Sequence, residues 1–167
     1  MKPNVVLLVI AGSLFSSAAV AQAPLIETVN ADTVSKYVQD AYPHVASFDN
    51  VQDPETLIGR VRAFSSHEAM IKYFTQISND GTILKAYGED GSTYSDIVSK
   101  ISVYGPKDRK WRAEFVAREK AKTSKGESVT CKSVTLMMSE MPLMPGMNAV
   151  GIDEVLSKPS KVKCPAN

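Results

Sequence analysis

Two histidines, two cysteines and a run of methionines are the side chains here with distinctive chemistry. His44 and His67 are the only imidazoles, so histidine acid–base catalysis near neutral pH would rest on them. Asp40 stands four residues before His44, but Pro43 intervenes, and no motif places a serine or cysteine nucleophile. His67-Glu68 lacks the second histidine of His-Glu-x-x-His, which excludes a zinc protease on spacing. No Gly-x-Gly-x-x-Gly turn or phosphate loop exists to hold a nucleotide. Both histidines read as surface or helix-start residues. No catalytic residue and no cofactor is assigned.

Met138, Met141, Met144 and Met147 recur every third residue, joined by Met137, around Pro142, Pro145 and Gly146. Thioethers are soft ligands that select Cu(I). No histidine or cysteine accompanies them locally, and methionine also fills core edges and partner surfaces. The segment reads as a packing or partner loop, with Cu(I) binding as the alternative. Lys107, Arg109, Lys110 and Arg112 surround Trp111 in the manner of a nucleic-acid patch. Nineteen Lys and Arg against eighteen Asp and Glu give only +1, no field to recruit nucleic acid. The cluster reads as a solvated turn feeding a strand whose tryptophan faces the core.

The cysteines gain meaning from the N-terminus. Lys2, the apolar run from Val5 to Phe15 and small residues ending in Ala19-Val20-Ala21-Gln22-Ala23 have the order of a secretory signal peptide. Ser13, Ser16 and Ser17 dilute that run, whereas a spanning helix needs about 20 apolar residues. Cleavage is expected after Ala23, with Ala21 nearly as good a fit. That division makes 1–23 a leader and 24–167 one domain, periplasmic or secreted, with no transmembrane segment left after cleavage. In an oxidising compartment Cys131 and Cys164, the only two thiols, are expected to pair. The bridge would close a loop of about 34 residues, worth roughly 3–4 kcal/mol. Two cysteines without a Cys-x-x-Cys cannot fill a tetrahedral metal site.

The chain behind the leader has 167 residues less that segment and a 44% hydrophobic share overall, enough for one ordinary core. Val34, Tyr37, Val38, Ala41 and Tyr42 mark one helical face, which Pro43 should end or kink. Asp53-Pro54-Glu55 reads as the start of a second helix carrying Leu57, Ile58, Val61 and Phe64. Ser65-x-x-Glu68 reads as the capping box of a third, with Ala69, Met70, Tyr73, Phe74 and Ile77 inward. From Thr93 the period changes to two. One strand is expected up to Val103, closed by Gly105-Pro106, and a second with Trp111, Ala113, Phe115 and Ala117 on one face. A connection at 122–128, a strand from Val129 to Met138 and a last one from Ala149 to Leu156 complete the pattern. The expectation is α+β: three N-terminal helices packed on a curved antiparallel sheet of about four strands.

Ser47-Phe48-Asp49-Asn50, the spacing Arg62-x-Phe64 to Met70-x-x-Tyr73-Phe74, and Arg109-Lys110-Trp111-Arg112-Ala113 share an order with Met141-Pro142 and Asn148-Ala149-Val150-Gly151-Ile152-Asp153. In that order the sequence resembles the periplasmic domain of the DotI/IcmL family of type IVB secretion systems, relatives of the conjugation protein TraM. The resemblance implies a nuclear-transport-factor-2-like fold that works by binding protein partners, type IVB components among them, with self-association open. Core members of that family retain an N-terminal anchor, so this chain resembles a free-standing accessory or paralogue. The alternative is a small-ligand or enzymatic version of the same cone, with a pocket enclosed by sheet and helices.

Overall fold

The computed structural model describes residues 28–49, 54–84, 91–142, 148–162 and 164. The expected leader lies outside them, as do Met144 and Met147. Asn30 caps the first helix, α1 (Ala31–Ala46), its side-chain oxygen accepting from the Thr33 N–H at 2.9 Å. Val34, Val38, Tyr42, Val45 and Ala46 are buried, a stripe that only a helix produces. The helix does not stop at Pro43; it runs one further turn, for which Arg60 supplies the reason given below. After the two-residue β1 (Phe48–Asp49) come α2 (Pro54–Arg62) and α3 (His67–Asn79). The cap of α3 is Ser66, not Ser65: the Ala69 N–H donates to Ser66 Oγ at 3.1 Å. Helical backbone resumes briefly at 82–84.

Five more strands follow: β2 (Ser92–Ile97), β3 (Ser102–Lys107), β4 (Lys110–Thr123), β5 (Gly126–Glu140) and β6 (Val150–Pro159). The sheet order is β1-β2-β4-β5-β6, antiparallel throughout, with β3 beside β2 on the same flank of β4. The strand expected from Thr93 to Val103 is therefore two. The break is held by Ser99, whose Oγ accepts from the Val116 N–H at 2.7 Å. Gly105-Pro106 does not close the run either, since β3 passes through it with a register shift between Tyr104 and Lys107. The hairpin between β4 and β5 is tighter than its polar sequence suggested, with Thr123 paired to Gly126 across a two-residue turn. With β1 added and one run split, the sheet has six strands rather than about four.

Alternation builds the core. Trp111, Ala113, Phe115 and Ala117 of β4 are buried beside Val134, Leu136 and Met138 of β5 and Val150, Ile152 and Val155 of β6. Tyr42 of α1 meets Phe115 edge to face, ring centroids 4.8 Å apart. Beyond β6 the segment after α2 runs parallel to the sheet edge. Ile152 N–H donates to Ala63 C=O at 2.8 Å, and Ser65 N–H donates to Ile152 C=O at 2.9 Å. Gly151 permits that approach, because a Cβ there would sit 2.6 Å from Ser65 Cα. Asp153 then accepts from the hydroxyls of both Ser65 and Ser139. At the other end of β6, Ser160 N–H donates to Cys131 C=O, and Cys131 is bonded to Cys164 across a Cα–Cα distance of 5.5 Å.

Candidate partner-binding surface

The side chains with chemistry of their own do not converge. His44 is exposed in the last turn of α1, and His67 is exposed as the first residue of α3. Among the described residues no group of three His, Cys, Asp or Glu is placed to hold a metal. Met138 is wholly buried opposite Trp111, so it belongs to the core rather than to a loop. Met137 is its neighbour on β5, and Met141 follows the strand.

The basic cluster is a turn. Asp108 and Arg109 both have positive φ, 53° and 61°, the backbone that a two-residue hairpin requires. Arg109 Nε lies 3.2 Å from Glu140, whose other oxygen accepts the Trp111 indole N–H at 3.1 Å. Arg112 lies over the Tyr104 ring at 4.5 Å. Trp111 is 3% exposed and has no face to offer a base.

The mouth of the cone is where an enclosed site would form, between α3 and the inner face of the sheet. Tyr42, Tyr73, Gln76, Glu119 and Lys132 meet there around only about 30 Å³ of free space. That is room for about one water molecule. Lys132 Nζ donates to Glu119 at 2.6 Å. Burial pushes the Tyr42 and Tyr73 phenols above the ordinary tyrosine range, and the Glu119 charge adds to the effect at Tyr42. Both remain neutral hydrogen-bonding groups. Among the described residues, these side chains leave no room for a small ligand at this place.

The open surface lies on the helical side. Leu57, Ile58 and Val61, which follow one another at helical spacing, are 48%, 49% and 47% exposed. The residue of α2 turned fully inward is Arg60, 1% exposed. Its Nε donates to His44 C=O at 3.0 Å and its Nη2 to Ser47 C=O at 2.6 Å. Its guanidinium also stacks 4.3 Å over Phe48. A cation at the C-terminal end of α1 satisfies carbonyls that end a helix and opposes their partial charge. This holds the turn that Pro43 weakens. Satisfying the arginine rotates the apolar stripe of α2 outward.

Separately, α1, α2 and the start of β6 bound a cleft of about 400 Å³, which α2 lines through Gly59 and not through the stripe. Tyr37 forms part of its wall, its hydroxyl donating to Ala63 C=O at 2.5 Å. Lys36, Asp40 and His44 contribute polar groups from α1, and Gly59 lines it from α2. A Cβ on Gly59 would meet nothing within 4 Å. Sequence reasoning missed Arg60 because a lone arginine in an amphipathic helix reads as surface. Its position gave no signal, because Arg60 stands three residues after Leu57, on the same side of the helical wheel.

The architecture is α+β, with three helices among the described residues set against a curled antiparallel sheet. No protein-family model matches the sequence, and no curated protein matches it. Solved structures do. An IcmL-like type IV secretion system protein from Legionella pneumophila superposes with TM-score 0.69 at 13% identity, over 83% of this chain and 99% of that one. The periplasmic domain of DotI gives 0.70 at 10% identity, over 81% and 99%. CagV, a VirB8 homolog from Helicobacter pylori, gives 0.61 at 10% identity, over 78% and 99%. The chain has the fold of the DotI/IcmL-like periplasmic domains. No helix among the described residues is long and apolar enough to cross a membrane.

Proposed function

We propose that this chain is a non-catalytic periplasmic protein-interaction domain, an accessory or paralogue of type IVB secretion subunits, delivered by a cleavable leader at 1–23. The observation that carries the reading is the outward apolar stripe of α2, in a fold whose described residues leave little space between α3 and the sheet. Leu57, Ile58 and Val61 expose about half of their surface, and a cleft of about 400 Å³ opens between α1 and the Gly59 side of the same helix, whereas about 30 Å³ is free among Tyr42, Tyr73 and Glu119. Exposed apolar side chains grouped on one helix, with the charged Glu55 and Arg62 in its first and last turns, have the make-up of a protein interface. The fold common to periplasmic secretion subunits supports the choice of partner class.

The test uses two substitutions that the fold tolerates. Ile58→Asp places a charge in the stripe, and Gly59→Met fills the cleft from a position with open space around it. Gly59→Met should not lower the melting temperature, because removing a mid-helix glycine favours the helix by up to about 1 kcal/mol, and Ile58→Asp, at a half-exposed position, should change stability by only about 0.5 kcal/mol. Co-purification from cells carrying a type IV apparatus should fall at least tenfold for each. Undiminished recovery of secretion components with both variants would refute the assignment of this surface.

A further inference from the structure

One stretch of sheet edge with no described strand beside it lies on β5. The β5–β6 ladder ends at Lys132–Pro159, with the Ser160–Cys131 hydrogen bond as its last rung. Strand β5 continues past that point as the second arm of the hairpin, in unbroken register with β4 from Arg118–Cys131 to Thr123–Gly126. Cys131 C=O faces the β6 side. Backbone groups alternate along a strand, so the N–H and C=O of Glu127 and Val129 point the same way, into solvent. Residues 126–130 are all exposed, and Val129 is 54% exposed. Natural edges are blunted with proline, lysine or a bulge. Between Ser128 and Cys131 this edge has none of the three, and its one charged residue is Glu127.

The charge around it is one-sided. Lys120 lies beside Val129 and Lys122 beside Glu127 in the β4–β5 register, and Lys125 sits in the turn. Lys158 and Lys161 approach from the end of β6 and the segment after it. Against them stand Glu127, 3.8 Å from Lys122, and Glu119, already paired with Lys132. A second copy would bring two lysine-rich arms together and repel itself. A membrane surface would use the lysines but leave the edge groups unbonded.

We propose that the Glu127–Val129 edge takes an extended, acidic segment of a partner protein as an added strand. Two N–H and two C=O groups would carry the pairing, Val129 would pack an apolar side chain, and Lys120 and Lys122 would select carboxylates on the alternate positions. This site is separate from the α2 stripe, so either can fail without the other.

The probe is a fluorescent, end-blocked peptide of ten residues alternating glutamate with valine or threonine, and its lysine counterpart. Anisotropy titration of the mature domain should show at least tenfold tighter binding of the glutamate peptide, and that binding should slow amide exchange at residues 127 and 129. Val129→Pro removes an N–H that the β4 ladder does not use, so the variant should keep its cooperative melt while binding falls at least tenfold. Lys120→Glu with Lys122→Glu should give the same loss at the surface, whatever the proline does to folding. Equal binding of both peptides, or binding that survives both sets of substitutions, would overturn the proposal. So would protection of the same amides by concentrated domain without peptide, which identifies a second copy. Binding only to phosphatidylglycerol vesicles, unaffected by Val129→Pro, would also overturn it and identify a membrane surface.

Discussion

Arg60→Met should lower the stability of the domain by about 3–4 kcal/mol and its melting temperature by roughly 10 °C. Replacing a buried ion pair by apolar residues is often neutral, because both charged partners vanish together. Arg60 is different. Its acceptors include the backbone carbonyls of His44 and Ser47, which no side-chain substitution removes. Methionine would leave them without these donors at the end of a helix already weakened by Pro43. The Phe48 ring would lose its cation as well. Arg60→Lys should recover part of the loss, since an ammonium keeps the charge but cannot reach two carbonyls in the arginine geometry. Urea unfolding followed by circular dichroism measures both. A loss under 1 kcal/mol for Arg60→Met would mean that packing alone holds the end of α1.

Phe115→Ala is expected to cost about 3–5 kcal/mol and to leave much of the protein unfolded at 37 °C. Phe115 is 5% exposed in the centre of β4, the strand that contacts β2, β3 and β5, and Tyr42 of α1 meets its ring. Removing the ring opens a cavity between the helix and the middle of the sheet. Neither element can close it without breaking ladder register. A melting temperature within a few degrees of wild type would contradict the assigned core.

The residues that announced themselves in the sequence are those whose environment is set by period. Val34, Val38 and Tyr42 repeat as a helix requires, and Trp111, Ala113, Phe115 and Ala117 alternate as a half-buried strand requires. Both patterns survive into the structure because burial of one face fixes them locally. The Cys131–Cys164 bond was legible for a different reason: two thiols have one pairing. What escaped depends on contacts between distant segments. Arg60 is inward because two carbonyls at the end of another helix need donors, and nothing in α2 itself signals that demand. Gly151 looks like an ordinary strand glycine until Ser65, far away in sequence, is placed against its Cα. Ser65 likewise resembles a helix cap, but its hydroxyl goes to Asp153 and leaves the cap to Ser66. The candidate surface was not legible for the same reason, since apolar spacing in α2 gives a face without saying which way it turns.

The most direct test of the central claim places a photo-cross-linking benzoylphenylalanine at position 58 of the stripe and, separately, at position 157 beside the cone mouth. The cross-linkable chains would be expressed in cells that carry a type IV apparatus and irradiated. An interaction domain that works through its helical side predicts adducts with secretion components from position 58 and none from position 157. Adducts from position 157 alone, or none from either while the apparatus is assembled, would contradict it.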